Sequence, residues 1–447
     1  MPRYLALPLL HPHPNIMKKS ILLLLGGILL FFAFFTPEPP IVNTADIQSF
    51  LQTQHRQQAR QQVEEQIQFW SNRLEQQPNN GIYQQKLAGL KAQFFRLSGE
   101  VNELQQSDSL LVALSQRFPN DVSLWQALAQ NAISGHQFAK ADQYINEALA
   151  IGEKRYQSSL LKVDILLERG NQFEAMGILN ALGSTYSFDY LTRQVKLLDQ
   201  KGQLDEAIQW MEKAVTSAEA AGNTSLINWS LANLGDMYGH QGEIKKSYST
   251  FLKALQHNPA DLHALKGIAW IAFSHDKNPE LSHKILTFLQ SVHKIPEYDL
   301  LLADIASYQK NSDKAHFHTE QFLMTASQDK QGYLYTRPLT QLQLERGEIS
   351  TDKYIEEEIQ QRPHPLSYLL KAQYLQTIGQ EKAAMALLHE KVLGKTEEPD
   401  ALYHAGLICK ENGEKRLARK LLRSAKDAAF ELGPLVEADI KSALREL

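Results

Sequence analysis

The sequence is poor in cysteine and glycine, and neither sign of charge dominates it. Cys409 is the single cysteine among 447 residues, so an internal disulfide and a cysteine-built zinc or iron–sulfur site are both excluded. Glycine contributes 23 residues, about 5% against a usual ~7%, which disfavours a turn-rich all-β protein. The 46 basic and 50 acidic residues leave a net charge of −4, which argues against a protein that binds nucleic acid.

Catalytic and metal-binding motifs are also missing. The chain has no His-Glu-x-x-His, no Gly-x-Ser-x-Gly, no glycine-rich phosphate loop and no EF-hand run. His316 and His318 come nearest to a metal pair, but side chains two residues apart on a helix point to different faces. Cys409 is expected to pack, not to react. We therefore predict no enzymatic activity, no cofactor and no metal site.

An uncharged apolar run extends from Ile21 to Phe35 and follows the basic pair Lys18 and Lys19. Its length lies between a signal-peptide hydrophobic region and the ~17–25 residues of a spanning helix. The run ends without the small residues that a signal peptidase requires, which favours an uncleaved membrane anchor over a secreted form. The basic pair predicts a cytoplasmic N-terminus, with everything after Pro37 in the periplasm or outside the cell.

Composition divides the chain into five parts. We predict a loose tail or start-site artefact (1–16), a signal anchor (17–36), a Pro-rich linker with a Gln-rich helical stalk (37–78), about ten repeats (79–432) and a C-terminal capping helix (433–447).

The stalk is polar but carries one apolar stripe. Between Ile47 and Leu74, apolar residues recur at three- and four-residue steps, which predicts a helix that begins at Thr44 and ends at Pro78. The helix is either a spacer or a coiled coil through which the chain forms oligomers, although the stripe is too gapped for strict heptads.

Small residues recur at fixed spacings beyond the stalk. Offsets of 7 and 12 residues separate Gly235, Gly242 and Ala254, and again Gly406, Gly413 and Ala425. Small side chains let two antiparallel helices approach closely, and a helix pair that cannot bury its apolar faces alone must stack on others. The spacing resembles that of the tetratricopeptide repeat, a helix-turn-helix unit of 34 residues.

This resemblance implies an all-α solenoid, wound as a right-handed superhelix. In the family, the first helices line a concave groove that binds a protein or peptide. Its groove positions, carried over to the units that begin at Asn228 and Leu262, fall on six candidate binding residues: Trp229, Asp236, His240, His263, Lys266 and Trp270. Either tryptophan fits a core position equally well. Ala232 and Asp236 replace the lysine and asparagine of the subclass that clamps a terminal carboxylate, so that partner class is not predicted.

The sequence thus predicts a bacterial, membrane-anchored interaction scaffold that faces the periplasm or the exterior. The alternatives are a secreted or cell-surface protein with its signal removed, and an accessory subunit or assembly factor of an envelope enzyme complex. The partner is a protein or peptide that the sequence does not identify.

Overall fold

The computed structural model of the chain describes residues 39–183, 187–328, 332–348 and 351–447. The predicted anchor from Ile21 to Phe35 and the tail before it lie outside these residues. Every element assigned to the described residues is a helix. None of these helices combines the length and the apolar character needed to cross a membrane.

Two helices precede the repeats, α1 (Thr44–Ile47) and α2 (Gln54–Gln76). The sequence predicts a single helix that begins at Thr44, but residues 48–53 interrupt it. Asn43 caps α1 in place of Thr44, because its side-chain oxygen accepts a hydrogen bond from the N–H two residues later (3.0 Å).

The first part of the predicted stalk is bound to the repeats. The backbone N–H groups of Ile41 and Val42 donate to the two carboxylate oxygens of Asp276, at 3.0 and 2.8 Å. Ile47 is fully buried and belongs to the largest apolar core of the chain. Ile41, Val42 and Ile47 therefore attach this segment to the core, while residues 43–46 between them stay exposed.

Ten helix pairs follow between Gly81 and Asp427 in the described part of the chain. The first helices are α3 (Gly81–Ser98), α5 (Val122–Ser134), α7 (Arg155–Glu168), α9 (Phe188–Gln200), α11 (Thr224–His240), α13 (Leu262–Trp270), α15 (Glu297–Tyr308), α17 (Thr336–Glu345), α19 (Pro365–Thr377) and α21 (Pro399–Glu411). The second helices are α4 (Val101–Arg117), α6 (Phe138–Ile151), α8 (Gln172–Leu182), α10 (Leu204–Ala220), α12 (Ile244–His257), α14 (Pro279–Val292), α16 (Ser312–Ala326), α18 (Asp352–Gln361), α20 (Glu381–Lys391) and α22 (Lys415–Asp427). A final helix, α23 (Ala429–Glu446), kinks at Gly433, where φ is 82°.

The apolar stripe of α2 is covered by the first pair. Val63 is buried, and the ring of Trp70 lies 5.4 Å from that of Tyr83 on α3. The stripe that would form a coiled-coil seam is thus already used in packing within the chain, because α2 packs against α3.

Small residues stand where consecutive helices approach most closely. A Cβ atom on Gly235 of α11 would lie 2.6 Å from the ring of Phe251 on α12, and one on Gly267 of α13 would overlap the same ring. On α21, a Cβ on Gly406 would lie 2.8 Å from Leu422. Gly235 and Gly406 therefore mark helix contacts that leave no room for a side chain, whereas Gly242 and Gly413 stand in turns at φ of 84° and 78°.

Cys409 and His318 have structural roles, the first in packing and the second in hydrogen bonding. Cys409 is fully buried in α21, and burial raises the pKa of its thiol to about 12. His316 is exposed, whereas the Nδ1 of His318 lies 2.8 Å from a carboxylate oxygen of Asp299. His316 therefore faces solvent, and His318 packs toward α15.

Helix pairs five or six places apart in the chain touch one another. Arg56 donates to the backbone oxygens of Leu97 and Ala260, at 2.7 Å each, and so ties α2 to both the first and the sixth pair. The backbone N–H of Lys294 donates to the oxygen of Ser98 (3.3 Å) at the same contact. Successive turns of the solenoid therefore meet here.

A second contact joins the second and third pairs to the eighth. The backbone N–H of Ala139 donates to the side-chain oxygen of Gln361 (3.0 Å), and Arg169 donates to the backbone oxygen of Gln361 (3.2 Å). The guanidinium of Arg362 lies 4.5 Å from the ring centre of Phe138. Because the turns are joined in this way, helices that are distant in the sequence together form the inner surface of the solenoid, the surface that the first helices line.

Candidate protein-binding site

The six predicted binding residues lie on α11 and α13 and line two cavities that have Lys266 in common. The larger, of 840 Å³, includes Trp229, His263 and Lys266. The smaller, of 170 Å³, includes Asp236, His240, Lys266 and Trp270. The structure thus brings all six residues to one continuous part of the inner surface.

We call the larger space the basic cavity, because six cationic or histidine side chains line it: Arg56, Arg96, His257, His263, Lys266 and His293. They come from α2, from the end of α3, and from the segment between α12 and α15. Only the contact between solenoid turns brings Arg56 and Arg96 to this place.

Trp229 forms an aromatic wall of the basic cavity. Its side chain is 40% exposed, although it stands edge-on to Phe188 with 5.8 Å between ring centres. A large aromatic that stays this exposed beside a cavity is available to a partner.

Asp261 is the one carboxylate that lines the basic cavity within the described residues, and its oxygens are already used. One accepts the backbone N–H of Ala264 (2.9 Å) and so caps α13, and the other accepts a short hydrogen bond from the side-chain amide of Asn228. The side-chain oxygen of Asn228 is buried and has no hydrogen-bond partner among the described residues.

His263 and Asp236 form a close hydrogen-bonded pair between α13 and α11. Burial opposes protonation of His263, but the hydrogen bond and charge of Asp236 raise the pKa of this histidine above its ordinary value. The charge of Asp236 is therefore paired with His263. Lys266 forms no direct ion pair within the described residues, and its charge acts at longer range on the carboxyl of Glu297.

The smaller cavity is partly filled by the chain itself. Trp270 donates through its indole N–H to the backbone oxygen of Phe430 (3.0 Å), and the hydroxyl of Ser274 donates to the same oxygen (2.6 Å). Gly433 lies against the same indole ring. Of the two predicted tryptophans, Trp270 therefore contacts the C-terminal segment, whereas Trp229 faces open space.

Sequence reasoning missed a third space, which we call the acidic cavity. It has a volume of 580 Å³, and its carboxylates are Asp304, Glu345, Asp400, Glu411 and Asp439. Desolvation and the nearby charge of Glu345 raise the pKa of Asp304 to about 7. Groove positions carried over to α21, whose register Gly406 fixes, would have pointed here, whereas α15 and α17 lie in the repeats around residues 262–364, which are too degenerate to fix their register.

Fold and site together define the described residues as an α-solenoid whose inner surface carries cavities of opposite charge. Residues 188–220, which form α9 and α10, match the family model of the tetratricopeptide repeat. This match supports the repeat type predicted from the sequence, a type whose stacked units present concave binding surfaces to other proteins. The chain has no match among curated proteins.

Several solved structures are similar to the chain. Yeast Tom70 aligns over 89% of this chain and 95% of its own at 12% identity, with a TM-score of 0.34. PilF of Pseudomonas aeruginosa covers 47% of this chain and 94% of its own at 13% identity and a TM-score of 0.35. A tetratricopeptide repeat protein of Parabacteroides merdae covers 60% of this chain and 98% of its own at 16% identity and a TM-score of 0.33.

Proposed function

We propose that the chain is a non-catalytic scaffold that binds a segment of another protein on the inner surface of its repeats. The observation that carries this proposal is Trp229, an exposed indole at the edge of a cavity of 840 Å³. Aromatic anchors beside pockets contribute much of the binding energy in protein interfaces. Stacked helical repeats offer the extended concave surface that such a segment needs.

The proposal includes a membrane anchor, formed by the apolar run from Ile21 to Phe35. The basic pair before this run supports a cytoplasmic N-terminus, with the repeats in the periplasm or outside the cell. A secreted form would differ by removal of the run. An accessory subunit or assembly factor of an envelope enzyme complex would use the same surface and would differ only in its partner.

Site-specific photo-crosslinking tests the binding surface. A photoreactive phenylalanine derivative replaces Trp229 in one variant and Phe173 in the other, in cells that produce the full chain. Phe173 is the matched control, because it is 83% exposed but lies on α8, a second helix, and lines neither cavity. Adducts of defined mass that form at position 229 and not at 173 support the proposal. Equal adducts at both positions, or none at 229, refute it.

Alkaline extraction of membranes tests the anchor. The full chain is expected to stay in the membrane pellet, whereas Leu24→Glu/Leu25→Glu is expected to be released, because two charges make insertion of the run unfavourable. Leu9→Glu/Leu10→Glu, outside the run, serves as the control and should remain in the pellet. A parent chain whose mature N-terminus lies beyond Phe35 would establish the secreted form instead.

A further inference from the structure

We propose that the basic cavity recognises an acidic segment of the partner protein, bound through the carboxylates of its side chains. This inference rests on the proposed function and adds to it the chemical class of the partner. The cavity is defined by Arg56, Arg96, His257, His263, Lys266 and His293.

The cavity holds positive charge that the chain does not neutralise. Arg96 and Lys266 are both exposed to the cavity, and neither forms an ion pair with a described residue. Among the nearest carboxylates, Asp261 caps α13 and Asp236 pairs with His263, whereas Glu297, whose carboxyl feels the charge of Lys266, lies outside the lining of the cavity. The chain as a whole has a net charge of −4, so this excess is a local feature and not a reflection of composition.

Arg56 adds a third cation that is fixed in position. Its two terminal nitrogens donate to backbone oxygens, which are neutral, and its guanidinium stays charged at any physiological pH. The combined charge is felt inside the cavity, because desolvation and the charges of Arg56 and Lys266 lower the pKa of His293 to about 4. A carboxylate that enters the cavity would relieve this repulsion.

The remaining lining suits a peptide better than a small ion. Trp229 offers an aromatic face against which a peptide side chain can pack, and a small ion would not use it. The volume of 840 Å³ lies within the ~300–1,000 Å³ typical of ligand pockets. The acidic cavity on the same inner surface would repel such a segment, so charge also sets the place at which it binds.

Fluorescence anisotropy with defined peptides tests the inference on the full chain purified in detergent. The probe is a fluorescein-labelled peptide of about twelve residues that alternates glutamate with alanine and ends in an amide. An otherwise identical glutamine–alanine peptide removes the side-chain carboxylates. A third peptide, glutamine–alanine with a free terminal carboxylate, separates terminal recognition from side-chain recognition. The glutamate peptide is expected to bind, with an affinity that falls as salt rises from about 50 to about 300 mM.

A matched pair of double variants locates the binding. Arg96→Gln/Lys266→Gln removes two charges from the cavity and is expected to weaken binding of the glutamate peptide at least about tenfold. Lys245→Gln/Lys253→Gln removes two exposed charges from α12, which lie outside the cavity, and is expected to change the affinity less than about twofold. Circular dichroism melts confirm that both variants are folded.

Three results would overturn the inference: equal binding of the glutamate and glutamine amides, equal loss in both double variants, or binding of the free-carboxylate peptide as tight as that of the glutamate peptide. The last result would assign the cavity to a chain terminus. Crosslinks at position 229 without binding of the acidic probe would refute this inference alone and leave the proposed function standing.

Discussion

At the scale of single residues, the contact of Gly267 with Phe251 requires a glycine. An added Cβ would overlap the buried Phe251 ring, which also contacts Gly235 on α11 and would have to shift toward the smaller cavity. We expect Gly267→Ala to lower the free energy of unfolding by about 1–3 kcal/mol. Gly177→Ala on α8 is the control, since a Cβ there meets no atom and alanine favours the helix by up to ~1 kcal/mol. Urea denaturation measures both, and equal midpoints would contradict the packing argument.

Residue types and spacing predicted which helices approach closely, but they could not separate the two tryptophans. Both stand at groove positions of adjacent repeats, and the sequence gives them equivalent roles. The difference arises from Phe430, whose backbone oxygen accepts the indole N–H of Trp270. That contact joins residues 160 positions apart, so no local sequence pattern predicts it.

At the scale of elements, the segment that holds α1 depends on one buried carboxylate. Asp276 accepts the backbone N–H groups of Ile41 and Val42, one at each oxygen. Asp276→Asn replaces one acceptor with a donor, and the unsatisfied N–H costs about 1–3 kcal/mol locally. Hydrogen exchange should therefore accelerate at residues 41–47 while the later repeats keep their protection. Asp427→Asn, an exposed site at the end of α22, is the control. Unchanged exchange at residues 41–47 in Asp276→Asn would refute this anchoring role.

Helix pairs could be predicted because their small residues and apolar faces recur locally. The break at residues 48–53 could not, since the apolar stripe continues through it from Ile47 to Leu51. On one side of the break α1 docks on the core through Ile47, near Asp276, and on the other side α2 packs on α3, so the two helices have different packing partners. Tertiary contacts therefore override a periodicity that by itself favours a continuous helix.

At the scale of the whole molecule, the contacts between solenoid turns determine the candidate site. The sequence identified Trp229 and Lys266 from their repeat positions alone. Arg56 and Arg96 could not be found in that way, because they reach the cavity only where α2 and the first pair touch the sixth pair. The repeat register thus accounts for Trp229 and Lys266, and the superhelical winding accounts for Arg56 and Arg96. That winding is the sum of small rotations between successive repeats.

The turn contacts also make the stability of the molecule depend on pH. His136, His293 and His364 lie at these contacts, and burial together with nearby arginines lowers the pKa of each to about 4. Since the unfolded chain titrates near pH 6.5, it binds more protons than the folded chain between pH 6.5 and about 4. The free energy of unfolding is therefore unaffected by these histidines above pH 6.5. It falls with acidification, by up to about 2 kcal/mol per histidine at pH 5. The raised pKa of His263 acts in the opposite direction. Its pairing with Asp236 adds to the free energy of unfolding below pH 6.5, and this addition is lost as pH rises.

The measurement is the difference in melting temperature between pH 7.5 and pH 5.0. We expect His293→Gln/His364→Gln to reduce this difference, because glutamine does not bind a proton when the chain unfolds at pH 5. This expectation holds whether or not the variant changes the melting temperature at pH 7.5. His316→Gln, at an exposed position on α16, should leave the difference unchanged. If the double variant and the exposed control show the same difference as the parent, His293 and His364 are not the source of the acid sensitivity.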